Sequence, residues 1–156
     1  MPKIDTDNFN PIKSTQLFGF DEHFNNLITL HHNNKLPKII LLTGEKGLGK
    51  FTFGFHFVNF FFSNKNEHPY DYKKYKIDIK SEFYRNIIGN VNENFNYIGK
   101  NDNKKVTIDS IRDIKKKFHS TSLNNKPRFT IIDDCELLNV NSTNALLKLV
   151  EEPTSH

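Results

Sequence analysis

The chain has 156 residues, mean hydropathy −0.62 and a formal net charge of +4, a size for one soluble domain with a modest core. No apolar run approaches the roughly 20 residues that cross a bilayer. Met1 to Asn10 lacks the apolar core of a secretory signal, and a single Cys135 excludes an internal disulfide and a cysteine-based zinc site, so a cytoplasmic location is expected.

Residues 1–17 read as an extended lead-in. Asp21 is placed to N-cap a first helix with Phe24, Leu27, Ile28 and His31 on one face. Asn33, Asn34 and Pro37 end it. Lys38 to Thr43, which carries Ile39-Ile40-Leu41-Leu42, predicts a parallel strand covered on both faces.

Gly44-Glu45-Lys46-Gly47-Leu48-Gly49-Lys50-Phe51-Thr52 follows directly. Its spacing fits G-x-x-x-x-G-K, but Phe51 stands where the full motif requires Ser or Thr. Such a loop works because successive backbone N–H groups converge on phosphate oxygens and glycines permit the turn and the close approach. Lys50 would reach the terminal phosphates as a point charge. The bland alternative is a tight strand-to-helix turn with an incidental lysine.

Beyond Lys50 two periods compete. Phe51, Phe53, Phe55 and Phe57 alternate as in a strand, while Phe53, Phe57, Phe60 and Phe61 share a helical face. The preceding glycine-lysine turn favours a helix over 50–62, with its N-terminus toward the phosphates. A short helix is expected around Ser81–Ile88, a short strand over Phe95 to Ile98, and a polar turn over Asn101 to Lys105. A helix from Ile108 follows, capped by Thr107 or Asp109, with Ile111, Ile114 and Phe118 inward. Phe129 to Ile132 predicts a second buried strand. Asn141 is a candidate cap for a last helix with Ala145, Leu146, Leu149 and Val150 as its apolar stripe, stopped before Pro153. Alternating strands and helices give an α/β parallel sheet.

The second strand runs into Asp133-Asp134, carboxylates at the edge where open α/β sheets bind ligands. In nucleotide hydrolases one such carboxylate, here Asp133, orients Mg²⁺ through its water shell; the next, here Asp134, can polarise the attacking water. Lys115-Lys116-Lys117 could meet DNA phosphate, although a helical charge run is more often a solvated face. His56 and His68 lack partners at ligand spacing and read as ordinary core or surface histidines. The chain holds 21 Asn and 19 Lys against 3 Arg, an AT-rich coding drift, so Asn and Lys abundance is not read as chemistry.

Asn144-Ala145-Leu146-Leu147-Lys148 with Glu151-Glu152-Pro153 closely resembles the helix after the second nucleotide motif in bacterial clamp-loader ATPases, the AAA+ subunits of the DNA polymerase III holoenzyme. Leu36-Pro37, Gly44 to Lys50, Ile108-Asp109-Ser110-Ile111-Arg112 and Ile132-Asp133-Asp134 agree in order, so the likeness runs from about residue 17 to residue 153. It implies a P-loop NTPase (AAA+) fold, a three-layer α/β/α parallel sheet. Within the family the chain looks most like delta-prime, whose members commonly carry a non-hydroxyl residue after the loop lysine, as Phe51 is here. Thr52 is one position late, and one residue turns a helical side chain by about 100°. Asp134 stands where active members carry Glu.

The resemblance implies ATP and Mg²⁺ as possible ligands, with weak or no hydrolysis. It also implies a hetero-pentameric ring of clamp-loader subunits acting on the sliding clamp and primed DNA, and no membrane. Family members often carry a four-cysteine zinc module; the interval here has no cysteine, so no zinc is expected. They also continue with a sensor strand, a lid and a collar, so residues 1–156 read as the N-terminal portion of a single AAA+ domain, incomplete at the C-terminus. The alternatives are a hydrolysing gamma/tau-type subunit, a small P-loop nucleotide kinase, for which Arg85, Arg112 and Arg128 are too few and scattered, and a nucleotide-binding module of unspecified partner.

Overall fold

The structure is a computed structural model that describes residues 11–63, 67–99, 108–119 and 126–151. The chain divides into two compact units, Met1–Asn92 and Glu93–His156.

The first unit is helical: α1 (Asp21–His32), α2 (Lys50–Phe62) and α3 (Glu82–Ile88). α2 has the bounds its sequence predicts. Its composition is aromatic around most of its circumference, so it buries several faces at once, with Phe51, Phe53, Phe55, Phe57 and Val58 all buried. Phe60 and Phe61 of the expected face are half-buried. Phe24 of α1, fully buried, is the hub. Its ring stacks on Tyr70 at 5.5 Å and meets Phe53, Phe57 and Phe60 edge-on at 6.0 Å. Offset and edge-on pairs of this kind contribute about 0.5–1.5 kcal/mol each beyond the area they bury.

Asp21 does not cap α1. Phe20 takes the N-cap position without a side-chain bond, and Asp21 is the first helical residue. There, with Glu22, its negative charge meets the positive end of the helix dipole. His31 closes the inward face against Phe61 at 4.7 Å. Ser81 caps α3, accepting from the Tyr84 N–H at 3.3 Å.

Lys38 to Thr43 forms no strand. A strand persists as a member of a ladder, and none includes this segment among the described residues. Ile39, Ile40, Leu41 and Leu42 are consequently 46, 40, 74 and 37 % exposed.

Thr15 and Leu17 of the lead-in are tied down across the sequence. Leu17 N–H donates to the Tyr75 carbonyl at 3.0 Å and Ile77 N–H to the Thr15 carbonyl at 2.9 Å. His56, fully buried on α2, completes this clasp. Its Nε2 lies 2.9 Å from the Ser14 carbonyl and its Nδ1 2.9 Å from the Tyr70 hydroxyl. A carbonyl can only accept, so Nε2 carries the proton and Tyr70 donates to Nδ1.

The second unit is a parallel β-α-β arrangement with a further helix. β1 (Phe95–Ile98) and β2 (Phe129–Ile132) pair from Phe95↔Phe129 to Ile98↔Ile132. Both strands match their sequence-based bounds. Among the described residues the sheet has these two strands. α4 (Ile108–His119) lies between them in the chain, and α5 (Val140–Glu151) follows. Ile98, Ile111 and Ile114 form the core, with Phe118, Ile132, Ala145, Leu146 and Leu149 packed on it, the expected inward faces except for Val150, which is half-buried outside this cluster. One assigned cap shifts: Asn139, not Asn141, caps α5 by accepting the Ser142 N–H at 2.8 Å. Of the two candidates for α4, Asp109 lies inside the helix and pairs with Arg112 at 3.3 Å. Thr107, Pro153 and the Asn101–Lys105 turn lie outside the described residues. No helix among the described residues is long and apolar enough to cross a membrane.

Candidate phosphate loop and strand-end carboxylates

Gly44 to Lys50 makes a tight turn into α2. Backbone geometry requires all three loop glycines, Gly47 at φ 85° among them. Gly49, at φ 85°, is the N-cap of α2, and Gly44 lies at φ 146°, where an added Cβ would also meet Leu48 Cδ2 at 3.0 Å. Gly49 supplies no side-chain cap, so the first turn of α2 keeps its donor character and its partial positive charge. The Lys50 ammonium folds back over the loop and donates to the carbonyls of Gly44 and Glu45, both at 2.9 Å. Glu45, Lys46, Gly47 and Leu48 are exposed, and Thr52 is half-buried. Phe51 is 6 % exposed, its ring stacked on Phe55 at 5.9 Å. The position after the lysine therefore serves the aromatic core.

In the second unit, β2 ends at a sharp turn. Asp133 N–H donates to the Ile98 carbonyl at 2.7 Å, which extends the ladder one residue past the strand. Asp134 adopts the left-handed conformation at φ 50° and leads into a short 3-10 turn, Cys135–Leu137. Non-glycine residues seldom adopt this conformation, and Asp and Asn tolerate it best. The turn returns the Asp134 N–H onto Asp133 Oδ1 at 3.1 Å. Burial pushes the hydroxyl of Tyr97, on the neighbouring strand, up to about 12, helped by the charges of Asp133 and Asp134 and by side-chain hydrogen bonding toward Asp133. Sequence reasoning missed Tyr97. The signal that could have found it is the strand register, which sets Tyr97 opposite Ile131, two residues before Asp133.

A magnesium ion of the kind the loop motif implies takes a hydroxyl after the loop lysine. Phe51 has no hydroxyl and is packed away. The loop does not fit that ion. Among the described residues, no group of three or more His, Cys, Asp or Glu side chains is disposed to hold a metal.

The remaining candidates have local duties. Lys116 pairs with Asp113 at 3.2 Å, and Lys117 donates to Asn96 Oδ1 at 2.8 Å while its carbonyl accepts from Arg128. His68 is exposed and lies 2.9 Å from Asp78. No curated protein matches the chain. A family model described as DNA polymerase III, delta subunit, matches residues 20–156, taking in the glycine loop and the Asp133 strand end, and the chain therefore belongs to that family.

Proposed function

We propose that the chain is a delta-prime-type subunit of the DNA polymerase III clamp loader, one member of a hetero-pentameric ring that opens the sliding clamp and places it on primed DNA. The family match across residues 20–156 is the observation that carries this proposal. Within it, Gly44 to Thr52 is a phosphate site for a nucleotide such as ATP, with the loop amides, the start of α2 and Lys50 supplying the positive field. The buried Phe51 supports weak or absent hydrolysis, so that ATP turnover in the ring comes from neighbouring subunits.

The test is reconstitution with the other clamp-loader subunits of the same holoenzyme, read by size-exclusion chromatography with light scattering. One copy of this chain per ring is expected. Lys50→Ala should leave ring ATP turnover within about twofold of the unaltered ring. A loss of roughly tenfold or more would make this chain a hydrolysing gamma/tau-type subunit instead. Failure to co-assemble would remove the clamp-loader role.

A further inference from the structure

We propose that loop 71–76 is a docking point for single-stranded nucleic acid, with Tyr72 as the platform for a base and Lys73, Lys74 and Lys76 meeting neighbouring phosphates. The site lies apart from the glycine loop, and its use does not depend on the proposed clamp-loader ring.

The loop is built to hold these side chains outward. Asp71 and Lys76 close it with two backbone bonds, N–H to carbonyl in each direction, at 2.9 and 3.0 Å. The Asp71 carboxylate accepts the N–H groups of Lys73 and Lys74 at 3.1 and 3.0 Å, an Asx turn that directs the loop's one acid onto its own backbone. Tyr75 takes the left-handed conformation at φ 49° and sends its ring inward, edge-on to Phe24 at 5.6 Å, where its hydroxyl accepts from Asn25 at 3.1 Å. The Tyr75 carbonyl accepts the Leu17 N–H, which pins the loop to the lead-in. Tyr72 is left on the outside, 53 % exposed and without a partner among the described residues. Lys73, Lys74 and Lys76 are exposed, and their ammonium groups enter no ion pair among the described residues.

An aromatic face fixed beside unpaired cations suits a single strand, whose bases stack on the ring while lysines follow the backbone. A duplex keeps its base faces stacked inside and would leave Tyr72 unused. An acidic protein segment would meet the lysines but offers the ring no flat base. Because the turn and the lead-in already order the loop, little conformational freedom is lost on binding. Lysine is common throughout the chain, and it is the exposed ring held among cations that sets this loop apart from Lys115 to Lys117 on α4.

The experiment is fluorescence anisotropy of a labelled oligothymidylate titrated with the full chain, repeated across a range of salt concentrations. Tyr72→Ala should weaken binding roughly tenfold, whereas Tyr72→Phe, which keeps the stacking face, should bind as the unaltered chain does. Lys73→Gln with Lys74→Gln should flatten the slope of log affinity against log salt by about 1.4, the value of two single-strand phosphates. This pair reads the same site without touching the ring, and circular dichroism separates lost binding from lost fold. Lys115→Gln with Lys116→Gln removes the same charge from α4 and should leave affinity within about twofold, as should Lys50→Ala. Unchanged affinity in Tyr72→Ala, or an equal loss from the α4 pair, would mean diffuse attraction to net charge and overturns the proposal. A loss in Lys50→Ala would move the oligonucleotide to the glycine loop and overturns it too. So does displacement by poly-L-glutamate at equal charge concentration, which would make the loop a docking point for an acidic protein. No measurement uses ATP or another subunit, so failure of ring assembly and failure of oligonucleotide binding are separate results.

Discussion

His56 shows how one buried ring can set the acid limit of the first unit. Burial pulls its pKa down to about 4 from 6.5, and the bond to the Ser14 carbonyl only partly opposes this. Above pH 6.5 folded and unfolded chains both carry a neutral ring, and the histidine makes no pH-dependent difference. As pH falls from 6.5 toward 4, the unfolded chain takes up a proton that the folded chain refuses, so stability declines, by as much as about 3 kcal/mol at pH 4. Urea unfolding at a series of pH values should show this decline. His56→Gln should flatten that part of it, while costing about 1–3 kcal/mol at pH 7 through the partners it leaves unmet. An unchanged slope in His56→Gln would mean that other groups produce the decline. Neither the Ser14–His56–Tyr70 tie nor the bond from Asp133 N–H to the Ile98 carbonyl could be read in the sequence. Each joins residues far apart in the chain whose proximity is decided by tertiary register, whereas Phe51 and Lys50 are neighbours and their roles follow from local geometry.

At the level of elements, the structure agrees with sequence reasoning wherever a segment carries its own determinants. α2, β1 and β2 keep their expected bounds because aromatic periodicity after a glycine turn and short β-branched or aromatic runs are local signals. Lys38 to Thr43 departs from expectation because apolar content licenses a strand but hydrogen-bonded neighbours make one. Caps moved by one or two residues because Asn139 and Asn141 are chemically equivalent as candidates, and only backbone geometry distinguishes them. Asn139→Ala should therefore cost about 1 kcal/mol in chemical denaturation, and Asn141→Ala, on an exposed helical position, only a few tenths. Ile111, 1 % exposed between α4 and α5, tests the packing behind them: Ile111→Ala should cost about 2–5 kcal/mol.

At the scale of the whole molecule, the longest run of exposed large apolar side chains among the described residues is where the expected strand is missing. Ile39 to Leu42 is a contiguous apolar stretch without a charge inside it, the kind of segment that drives self-association. Ile39→Lys with Leu41→Lys should lower light scattering at high concentration and leave the unfolding midpoint nearly unchanged. A large drop in the midpoint would show that these side chains support the fold after all.

The clasp across the first unit has a consequence for the order of events when the chain is made. Gln16 reaches the Lys74 carbonyl over a separation of 58 residues, alongside the Leu17–Tyr75 and Thr15–Ile77 bonds. At about 5–20 residues per second on the ribosome, residues 14–17 wait several seconds for their partners to emerge. Local helices form on far shorter timescales, and long-range pairing follows only after its loop-closure entropy has been met. The aromatic faces of α1 and α2 are therefore wrapped before they are fastened. Pulse-labelled hydrogen exchange should find the amides of α2 protected ahead of those of Leu17 and Ile77. The interval between the two is when a nascent chain rich in phenylalanine has most need of a chaperone.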